Sequence, residues 1–368
     1  MIKRIAIIGA NDFQNRLILK AKQLGYETHV FAWECGDIGE KTADFFYPIS
    51  IVEKDAILKK CKEIGIDGIC SIASDLASIT VNYVAENMGL PCNKTKYSNM
   101  QTNKFEMRRA FIKAGLPCPE FIATEKENYK DELLKDFKFP IIVKPTDRSG
   151  SRDIMKLDSI DGVKEAVRAA CGTSFEHKAI IEEYIDGDEY SMETITYHGE
   201  HHYLATTKKF TTGAPHFIET GHIQPSGLSD EVNDRAKEVI FKALDALHVE
   251  NSAGHSEFKV DKNGNIKIIE IGARMGGGGI GSELVPLSTG YDFLKMVIDI
   301  SVGLYPEFVR TKETSPAMIH FIMSEDDMKD FELAKKNKKV YFVSRIKKHD
   351  LIIDESDRWG FYVTREGV

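Results

Sequence analysis

The sequence predicts an α/β protein that begins with a Rossmann-like parallel sheet and continues into a region of consecutive strands. Over about the first 95 residues, short β-branched apolar runs alternate with amphipathic helical segments. Such alternation is typical of a parallel sheet covered by helices. From about residue 121 strands follow one another across turns, and 368 residues are too many for one ordinary core. We therefore expect two or three domains, with α+β organisation in the later part.

The N-terminal prediction rests on three strands and three helices. The strands are expected in "KRIAIIGAND", "YETHVFAWE" and "DGICSIAS". The helices are expected in "NRLILKAKQLG", which stops at Gly25, in Lys54 to Gly65, and in Ala77 to Gly89. The loop after the first strand reads "GANDFQ" and lacks the GxGxxG pattern of dinucleotide-binding folds. Residues 1–95 are therefore expected to form a scaffold domain without bound NAD.

The rest of the chain is predicted to mix helices with paired strands. "NKFEMRRAFIKAG" is a helix ended by "LPCP", and Phe139 to Leu157 is a strand, a Gly/Ser loop and a second strand. Helices are expected in "SIDGVKEAVRAAC", after a cap at Ser229 or Asp230, and in "GYDFLKMVIDISVG". A hairpin is expected on the Asn263-Gly264 turn. Further strands are expected in "KAIIEEYIDGDEYSMETITYHGEHHYLATTKKF", "AMIHFIM", "VYFVSRI" and "GFYVTRE".

Composition excludes several classes of function. The net charge is −8 with 29% charged residues, so no basic excess is available to neutralise nucleic-acid phosphates. No apolar run approaches the length of a membrane span. The six cysteines are scattered without CxxC or His/Cys metal spacing. We expect a soluble cytoplasmic protein that binds neither nucleic acid nor a membrane.

Lys144 follows a predicted strand and precedes a flexible, small-side-chain loop from Pro145 to Asp153. Backbone N–H groups of such a loop can surround phosphate oxygens, and a lysine at its base supplies a point charge. The loop is not a Walker A motif. A polar hairpin turn without a ligand is the alternative.

A second candidate segment is "IIEEYIDGDE". Its strand ends at Glu182-Glu183 and continues through Tyr184-Ile185. Strand ends beside apolar walls can offer backbone groups to a flat base, with a carboxylate near for an amine or a ribose hydroxyl. The alternative is a solvated acidic edge.

Glu257 and Glu270 lie on the two arms of the predicted hairpin, at nearly equal distances from its turn. They should therefore face each other across the ladder, each flanked by apolar residues. Two half-buried carboxylates repel each other, and a divalent cation resolves that conflict. Mg²⁺ favours one or two carboxylates together with substrate phosphates. In the alternative, basic neighbours such as Lys259 or Arg274 neutralise the pair.

Two further segments place charged groups beside flexible backbone. The loop between Pro215 and Pro225 carries His216, Glu219 and His222, which indicates either a functional loop or an ordinary surface loop. The segment "IIEIGARMGGGGIGSELVP" carries a glutamate, an arginine and then the four glycines 276–279. A run of glycine costs conformational entropy, so we expect a requirement for bare backbone there.

In their order along the chain, these segments resemble the ATP-grasp superfamily. The ordered set is a Rossmann-like unit, Lys104 in "NKFEMRRAF", "VKP" with its Gly/Ser loop, "IIEEYIDGDE" and "SEF…IIEIGAR", and it covers residues 1 to about 310. "ETGHIQPSGL", "HSEFKV" and "EIGAR" are most similar to the L-amino-acid ligase branch. The resemblance implies that ATP activates a small-molecule carboxylate as an acyl phosphate, which an amine then attacks.

The resemblance also implies a role for each matching residue. The acyl phosphate and the carboxylate under attack would be stabilised by Arg274, and Mg²⁺ or Mn²⁺ would be held by Glu257 and Glu270. The ATP phosphates would be bound by Lys104 and Lys144, under a closing loop of Ser149, Gly150 and Ser151. The adenine would be held by Glu182, Glu183, Tyr184 and Ile185, and the ribose by Glu189. The amino-acid substrate would be bound by Glu219 and His222. From the glycine run itself we expect the backbone of Gly276, Gly277 and Gly278 to approach that substrate where side chains would collide.

The chain departs from the common family pattern at Gly272 and Ala273, where many ATP-grasp enzymes carry Asn-Pro. A second metal ion would therefore lack the asparagine ligand. Two alternatives to the amino-acid ligase stay open, namely a carbamoyl-phosphate-synthase-like or carboxylase-like enzyme that uses bicarbonate, and a nucleotide-binding protein without turnover. The resemblance implies an ATP-grasp domain at 96–310, with a lid at about 121–190 and a catalytic part at about 191–310. Residues 311–368 are expected to form a β-rich segment that shapes either the pocket or an oligomer interface, such as that of a homodimer.

Overall fold

The computed structural model describes residues 2–214 and 217–365, and these residues form a mixed α/β fold with three sheets. The helices are α1 (Asp12–Gln23), α2 (Ile38–Thr42), α3 (Lys54–Ile64), α4 (Asp75–Met88), α5 (Ser98–Thr102), α6 (Lys104–Lys113), α7 (Val163–Thr173), α8 (Asp230–Ala246), α9 (Val285–Thr289), α10 (Phe293–Ser301) and α11 (Glu325–Lys336). The strands are β1 (Arg4–Ile8), β2 (Glu27–Phe31), β3 (Phe45–Tyr47), β4 (Gly68–Cys70), β5 (Phe121–Glu125), β6 (Ile141–Pro145), β7 (Met155–Leu157), β8 (Lys178–Glu183), β9 (Asp188–Tyr197), β10 (Glu200–Thr211), β11 (Glu219–Gln224), β12 (Ser252–Val260), β13 (Ile266–Gly272), β14 (Ala317–Ile322), β15 (Val340–Val343) and β16 (Gly360–Arg365).

The N-terminal sheet is parallel, with strand order β3-β2-β1-β4. The three predicted strands and three predicted helices are confirmed. Asn11 caps α1 by accepting a hydrogen bond from Gln14 N, and α3 and α4 end at Gly65 and Gly89 in the left-handed conformation. The sequence did not predict α2 and β3, because both are too short for a periodic pattern to stand out.

The second sheet is antiparallel and has the order β5-β8-β6-β7, with α7 packed on one face. The predicted strand–loop–strand from Phe139 to Leu157 is confirmed, since β6 pairs with β7 and Ile141 lies opposite Leu157. The turn at Asp186-Gly187 leads the chain out of this sheet into the third one rather than closing a hairpin.

The third sheet has eight antiparallel strands in the order β13-β12-β9-β10-β11-β14-β16-β15. The hairpin predicted on Asn263-Gly264 is confirmed as β12 and β13, and Ser229 is the cap of α8. The C-terminal strands β14, β16 and β15 extend this same sheet beyond β11. Residues 311–365 therefore continue the sheet that carries the predicted metal ligands.

Within the described ranges 2–214 and 217–365, no helix combines the length and the apolar character needed to cross a membrane.

Candidate active site

A cavity of about 710 Å³ is lined by residues of the second and third sheets and by loop and helix residues of the N-terminal domain. The predicted site residues that line it are Lys104, Lys144, Ser149, Gly150, Ser151, Glu182, Glu183, Tyr184, Ile185, Glu189, Glu219, Glu257, Glu270, Arg274, Gly277 and Gly278. Two other predicted residues, His222 and Gly276, are buried behind this lining. Pro215 and His216 lie outside the described residues.

The two predicted metal ligands are directly paired. Glu257 of β12 lies opposite Glu270 of β13, and a bulge follows immediately between Glu257 and Phe258. Both side chains are 22% exposed, so they are half-buried as expected. Glu270 Oε1 accepts a hydrogen bond from Lys104 Nζ at 2.9 Å, and Glu257 forms an ion pair with Lys209. Glu257 also lies 3.2 Å from His255 Nε2, so the direct partners of the two carboxylates are two lysines from other elements and a histidine of β12, while Arg274 acts on both carboxylates through its charge.

Lys144 is held by a buried ion-pair cluster. Its Nζ lies 2.7 Å from Glu182 Oε2, while Glu182 Oε1 accepts from Arg108 Nε at 2.7 Å. Burial lowers the pKa of Lys144. Burial also raises the pKa of Glu182, but Arg108 and Lys144 outweigh that effect and bring it down to about 2. Glu182 therefore orients the lysine, and a direct contact with a nucleotide base would compete with two cations.

The Gly/Ser loop is connected to the carboxylate pair through Lys104. Besides Glu270, Lys104 Nζ donates to the backbone oxygen of Arg148 at 2.6 Å. Lys104 is the first residue of α6, which is capped by Asn103. The Gly/Ser loop, between β6 and β7, contains Gly150 and Ser151, both of which have a positive φ. One lysine thus lies between the predicted phosphate loop and a predicted metal ligand.

Arg274 enters the cavity from the segment after β13 and is held by the N-terminal domain. Its Nε and Nη2 donate to the two carboxylate oxygens of Asp75 at 2.9 and 3.2 Å. Asp75 is the first residue of α4, directly beyond the carboxyl end of β4. Burial would lower the pKa of Arg274, but Asp75, Glu257 and Glu270 raise it. The guanidinium is therefore a permanent charge in a fixed orientation.

Glu219 belongs to a cluster centred on Lys209 of β10. Lys209 Nζ lies 2.6 Å from Glu219 Oε1 and 3.3 Å from Glu189 Oε1, in addition to its ion pair with Glu257. His222 Nε2 lies 3.3 Å from Glu219 Oε2, with the ring fully buried and perpendicular to a phenylalanine ring. Burial lowers the pKa of His222, so a neutral imidazole supports Glu219 from behind.

The predicted adenine segment offers less free backbone than expected. Glu183 N donates to Glu120 O and Tyr184 N to Pro140 O, both at 3.0 Å. The Tyr184 ring lies 4.7 Å from the ammonium groups of Lys156 and of Lys259. Ile142, Ile154, Ile185 and Ile269 also line the cavity.

The four consecutive glycines divide into two pairs. A Cβ at Gly276 would lie 2.7 Å from His255 Nδ1, and a Cβ at Gly279 would lie 2.6 Å from the Phe361 ring. Gly276 N also donates to buried Glu193 at 3.2 Å. These two glycines therefore have a packing reason that involves no ligand, whereas Gly277 and Gly278 line the cavity.

The charged cavity residues that sequence reasoning missed include Asp75, Lys209, Glu355 and Arg358. Asp75 had a usable signal, since it directly follows a predicted strand at the start of a predicted helix. Lys209 is one of several polar residues in a strand, and alternation alone does not give its partners. Arg358 Nη1 lies 3.2 Å from Glu219 Oε2, and Glu355 accepts from Ser151 Oγ at 3.0 Å. No local pattern connects this C-terminal segment to the cavity.

The donor set fits a divalent cation that is shared with a phosphate. Among residues 2–214 and 217–365, no group of three or more His, Cys, Asp or Glu side chains is arranged to bind a metal by itself. Glu257 and Glu270 nevertheless supply two paired carboxylates, which is what Mg²⁺ uses when substrate phosphates complete its shell. These two residues are therefore the candidate ligands.

Comparison with known proteins agrees with this geometry. Residues 137–283 match the sequence model of the ATP-grasp domain. The chain is 26% identical over 298 residues to the alanine–anticapsin ligase of Bacillus subtilis, which covers 72% of this chain and 62% of that protein. It is 27% identical over 218 residues to D-alanine–D-alanine ligase B of Chromobacterium violaceum, covering 57% of this chain and 69% of that protein. The chain therefore spans less than two thirds of the length of the first of these relatives.

Solved structures share the fold over nearly the whole chain. The L-amino acid ligase of Bacillus licheniformis superposes with a TM-score of 0.83 at 23% identity, covering 98% of this chain and 93% of that one. The N5-carboxyaminoimidazole synthetase of Staphylococcus aureus, in complex with ADP, superposes with a TM-score of 0.80 at 16% identity, covering 100% and 94%. Residues 137–283 thus match an ATP-grasp domain, and nearly the whole chain shares the fold of these solved structures.

Proposed function

We propose that this chain is an ADP-forming ligase that joins a carboxylate to an amine through an acyl phosphate, with an amino acid among its substrates. The observation that supports the proposal is the single cavity that collects Lys104, Lys144, Arg274 and the Glu257/Glu270 pair. The similarity to amino-acid ligases points to the same chemistry.

The charged part of the lining suits phosphoryl transfer. A carboxylate is a poor electrophile, and phosphorylation gives it a good leaving group. The transferring phosphoryl group carries negative charge spread over its oxygens, so catalysis depends on positioning and on fixed positive charge. Lys104 and Lys144 would supply that charge to the ATP phosphates, and Arg274 would supply it at the carboxylate that becomes phosphorylated. Glu257 and Glu270 would hold Mg²⁺ or Mn²⁺, which when bound neutralises phosphate charge.

The apolar part of the lining suits a nucleotide base. Ile142, Ile154, Ile185 and Ile269 line the cavity together with Tyr184. A flat base can lie between such walls, while Glu189 is available to a ribose hydroxyl. In this proposal Glu182 positions Lys144 and does not contact adenine.

The Gly/Ser loop suits a cover that excludes water. An acyl phosphate hydrolyses in contact with water, so the site must close before phosphoryl transfer. Ser149, Gly150 and Ser151 line the cavity on the loop between β6 and β7, and closure of such a loop would protect the intermediate.

The test is ADP formation from ATP and Mg²⁺ in the presence of a panel of proteinogenic amino acids, offered singly and in pairs. Amino-acid-dependent ADP release, with a new amide detected by mass spectrometry, is the expected result. ADP release stimulated by bicarbonate alone would favour a carboxylase-like reaction, and ATP binding without ADP formation would contradict the proposal. The homodimer stays a prediction, which a light-scattering mass checks.

A further inference from the structure

The C-terminal 3₁₀ turn Glu355–Asp357 places a carboxylate at the cavity wall. The side chain of Asp354 accepts from Ser356 N at 2.7 Å, and Asp357 accepts from the backbone N–H groups of Ile353 and Asp354 at 2.8 and 3.1 Å. The turn is closed by its own side chains, so Glu355 is presented from a well-defined backbone.

Glu355 connects the two sides of the cavity where the reacting groups of the proposed reaction would meet. Its Oε1 accepts from Ser151 Oγ of the Gly/Ser loop at 3.0 Å, and its Oε2 lies 3.5 Å from Arg358 Nη2. Arg358 lies 3.8 Å above the Phe321 ring and reaches Glu219 of the predicted amino-acid site at 3.2 Å. The side chain of Glu355 is 20% exposed, which leaves it open to a ligand in the cavity.

Other carboxylates of the cavity are bound to cations more closely. Glu219 contacts Lys209 at 2.6 Å and Arg358 at 3.2 Å, and these partners with His222 hold its pKa well below the ordinary value despite burial. Burial raises the pKa of Glu189, but Glu189 lies opposite both Lys209 and Lys259 on the neighbouring strands. These groups are suited to remain partners of fixed cations.

The charged groups around Glu355 differ from those around Glu219 and Glu189. Arg358 of its own turn, Glu219 of β11 and Lys209 of β10 face it, while Arg152 of the Gly/Ser loop lies 3.7 Å from Asp354. Burial and the negative charge of Glu219 outweigh the two cations and raise the pKa of Glu355 to about 7. Glu355 can therefore gain and lose a proton near neutral pH.

We propose that Glu355 accepts the proton of the ammonium group of the amine substrate, so that its nitrogen can attack the acyl phosphate. The inference rests on the proposed function and names the amine as one that is protonated when free, as an α-amino group is. Glu219 and Glu355 together would attract that ammonium group to the end of the cavity beside the Gly/Ser loop.

The step balances in atoms and charge. The ammonium gives one proton to the Glu355 carboxylate, and the free nitrogen pair forms a bond to the acyl carbon. The bond from that carbon to the phosphate oxygen then breaks, and the phosphate leaves with the electron pair. A second proton of the nitrogen goes to the phosphate, so the products are the amide, hydrogen phosphate and protonated Glu355.

The test separates the two half-reactions with two nucleophiles. Hydroxylamine is uncharged at neutral pH and traps an acyl phosphate as a hydroxamate without needing a base, whereas an amino acid must first be deprotonated. For Glu355→Gln we expect unchanged hydroxamate formation and a roughly 100-fold lower rate of amide formation, the size of a typical general-base effect. Glu332→Gln, on exposed helix α11, is the matched control and should change neither rate.

The dependence of amide formation on pH distinguishes a base from a residue with a purely structural role, because loss of a structural residue would not change the shape of the profile. Wild-type amide formation should fall as pH decreases through about 7, because Glu355 becomes protonated. In Glu355→Gln that limb should disappear, and the rate should rise with pH toward the pKa of the amine itself. Glu355→Asp keeps a carboxyl group and should retain part of the rate of amide formation. This variant tests the role of Glu355 as a base if Glu355→Gln does not fold.

The outcomes distinguish the two proposals. A wild-type protein that forms no hydroxamate with any amino acid overturns the proposed function, and this inference with it. A wild-type protein that forms both products, with Glu355→Gln forming both equally well and with the same pH profile, overturns the inference alone.

Discussion

The N-terminal parallel sheet and the eight-stranded sheet differ in whether charged side chains are buried within their strands. In β1, the residues Ile5 to Ile8 are fully buried and apolar. In the eight-stranded sheet, Glu193 is also fully buried, and Lys209 and His255 are 5% and 6% exposed. The N-terminal sheet also carries a charged pair in its strands, Arg4 and Glu27, but these side chains are 49% and 30% exposed, whereas these charged groups of the eight-stranded sheet are buried.

This difference follows from the two kinds of sheet. Helices cover both faces of a parallel sheet, so it can offer ligands only from its strand ends. The N-terminal sheet accordingly contributes Asn11 and Asp75, which follow β1 and β4. An antiparallel sheet can leave one face open, so β10 and β12 present Lys209 and Glu257 to the cavity from strand interiors. Such charges are costly to bury unless each is paired, and here they are paired.

The largest effect should come from Glu270→Gln, which removes one carboxylate of the pair and the partner of Lys104. We expect turnover of ATP to fall roughly 1000-fold, about 4 kcal/mol, because the side chain keeps its shape but loses its charge beside the phosphates. The folded state should persist in a thermal melt. Glu231→Gln, 83% exposed on α8, is the control and should be active. Full activity in Glu270→Gln would remove the metal assignment.

The next effect is on stability and comes from the buried ion-pair cluster. Arg108→Met leaves Glu182 with one cation fewer in a buried position, so the free energy of unfolding should fall by about 3–5 kcal/mol. The neighbouring Arg109→Met removes an ion pair whose arginine is 63% exposed and should cost about 0.5 kcal/mol. Urea unfolding measures both, and equal losses would show that burial of the pair does not matter.

The ion-pair cluster around Glu182 should also make a contribution to the free energy of unfolding that is lost in acid. The pKa of Glu182 is about 2 in the folded protein and 4.5 ordinarily, so its stabilisation is fully present above pH 4.5 and is lost as pH falls toward 2. Wild type and Glu182→Gln should therefore differ most in unfolding free energy at neutral pH and converge at lower pH. Glu183→Gln, next in the chain and partly exposed, is the control. A constant difference across this range would contradict the assignment.

The smallest effect should come from the contribution of the N-terminal sheet. Asp75→Asn keeps the shape of the side chain that holds Arg274 but removes the negative charge of that side chain. We therefore expect kcat to fall roughly 10-fold, about 1.4 kcal/mol. Ile7→Val in the same sheet should cost about 1 kcal/mol of stability and leave kcat unchanged. A loss of kcat in the valine variant would mean that the scaffold acts on the site through more than Asp75.

Much of the site could be predicted because its information is local. Counting outward from the Asn263-Gly264 turn predicts the Glu257/Glu270 pair to within one residue, and a bulge between Glu257 and Phe258 brings the two carboxylates directly opposite each other. The strand before Lys144 and the helix beginning at Lys104 follow from short periodic patterns and caps in the same way.

The contacts that were missed join distant parts of the chain. Asp75 and Arg274 are 199 residues apart, and Glu219 and Arg358 are 139 apart. Their meeting depends on the order β10-β11-β14-β16 and on how the second and third sheets and the N-terminal domain surround one cavity. The sequence by itself thus determined the elements, the carboxylate pair and the family pattern, because these depend on neighbours along the chain. Only the tertiary structure decided which cation neutralises which carboxylate, and that Glu355 lies at the cavity wall, because electrostatic partners are set by distance in space.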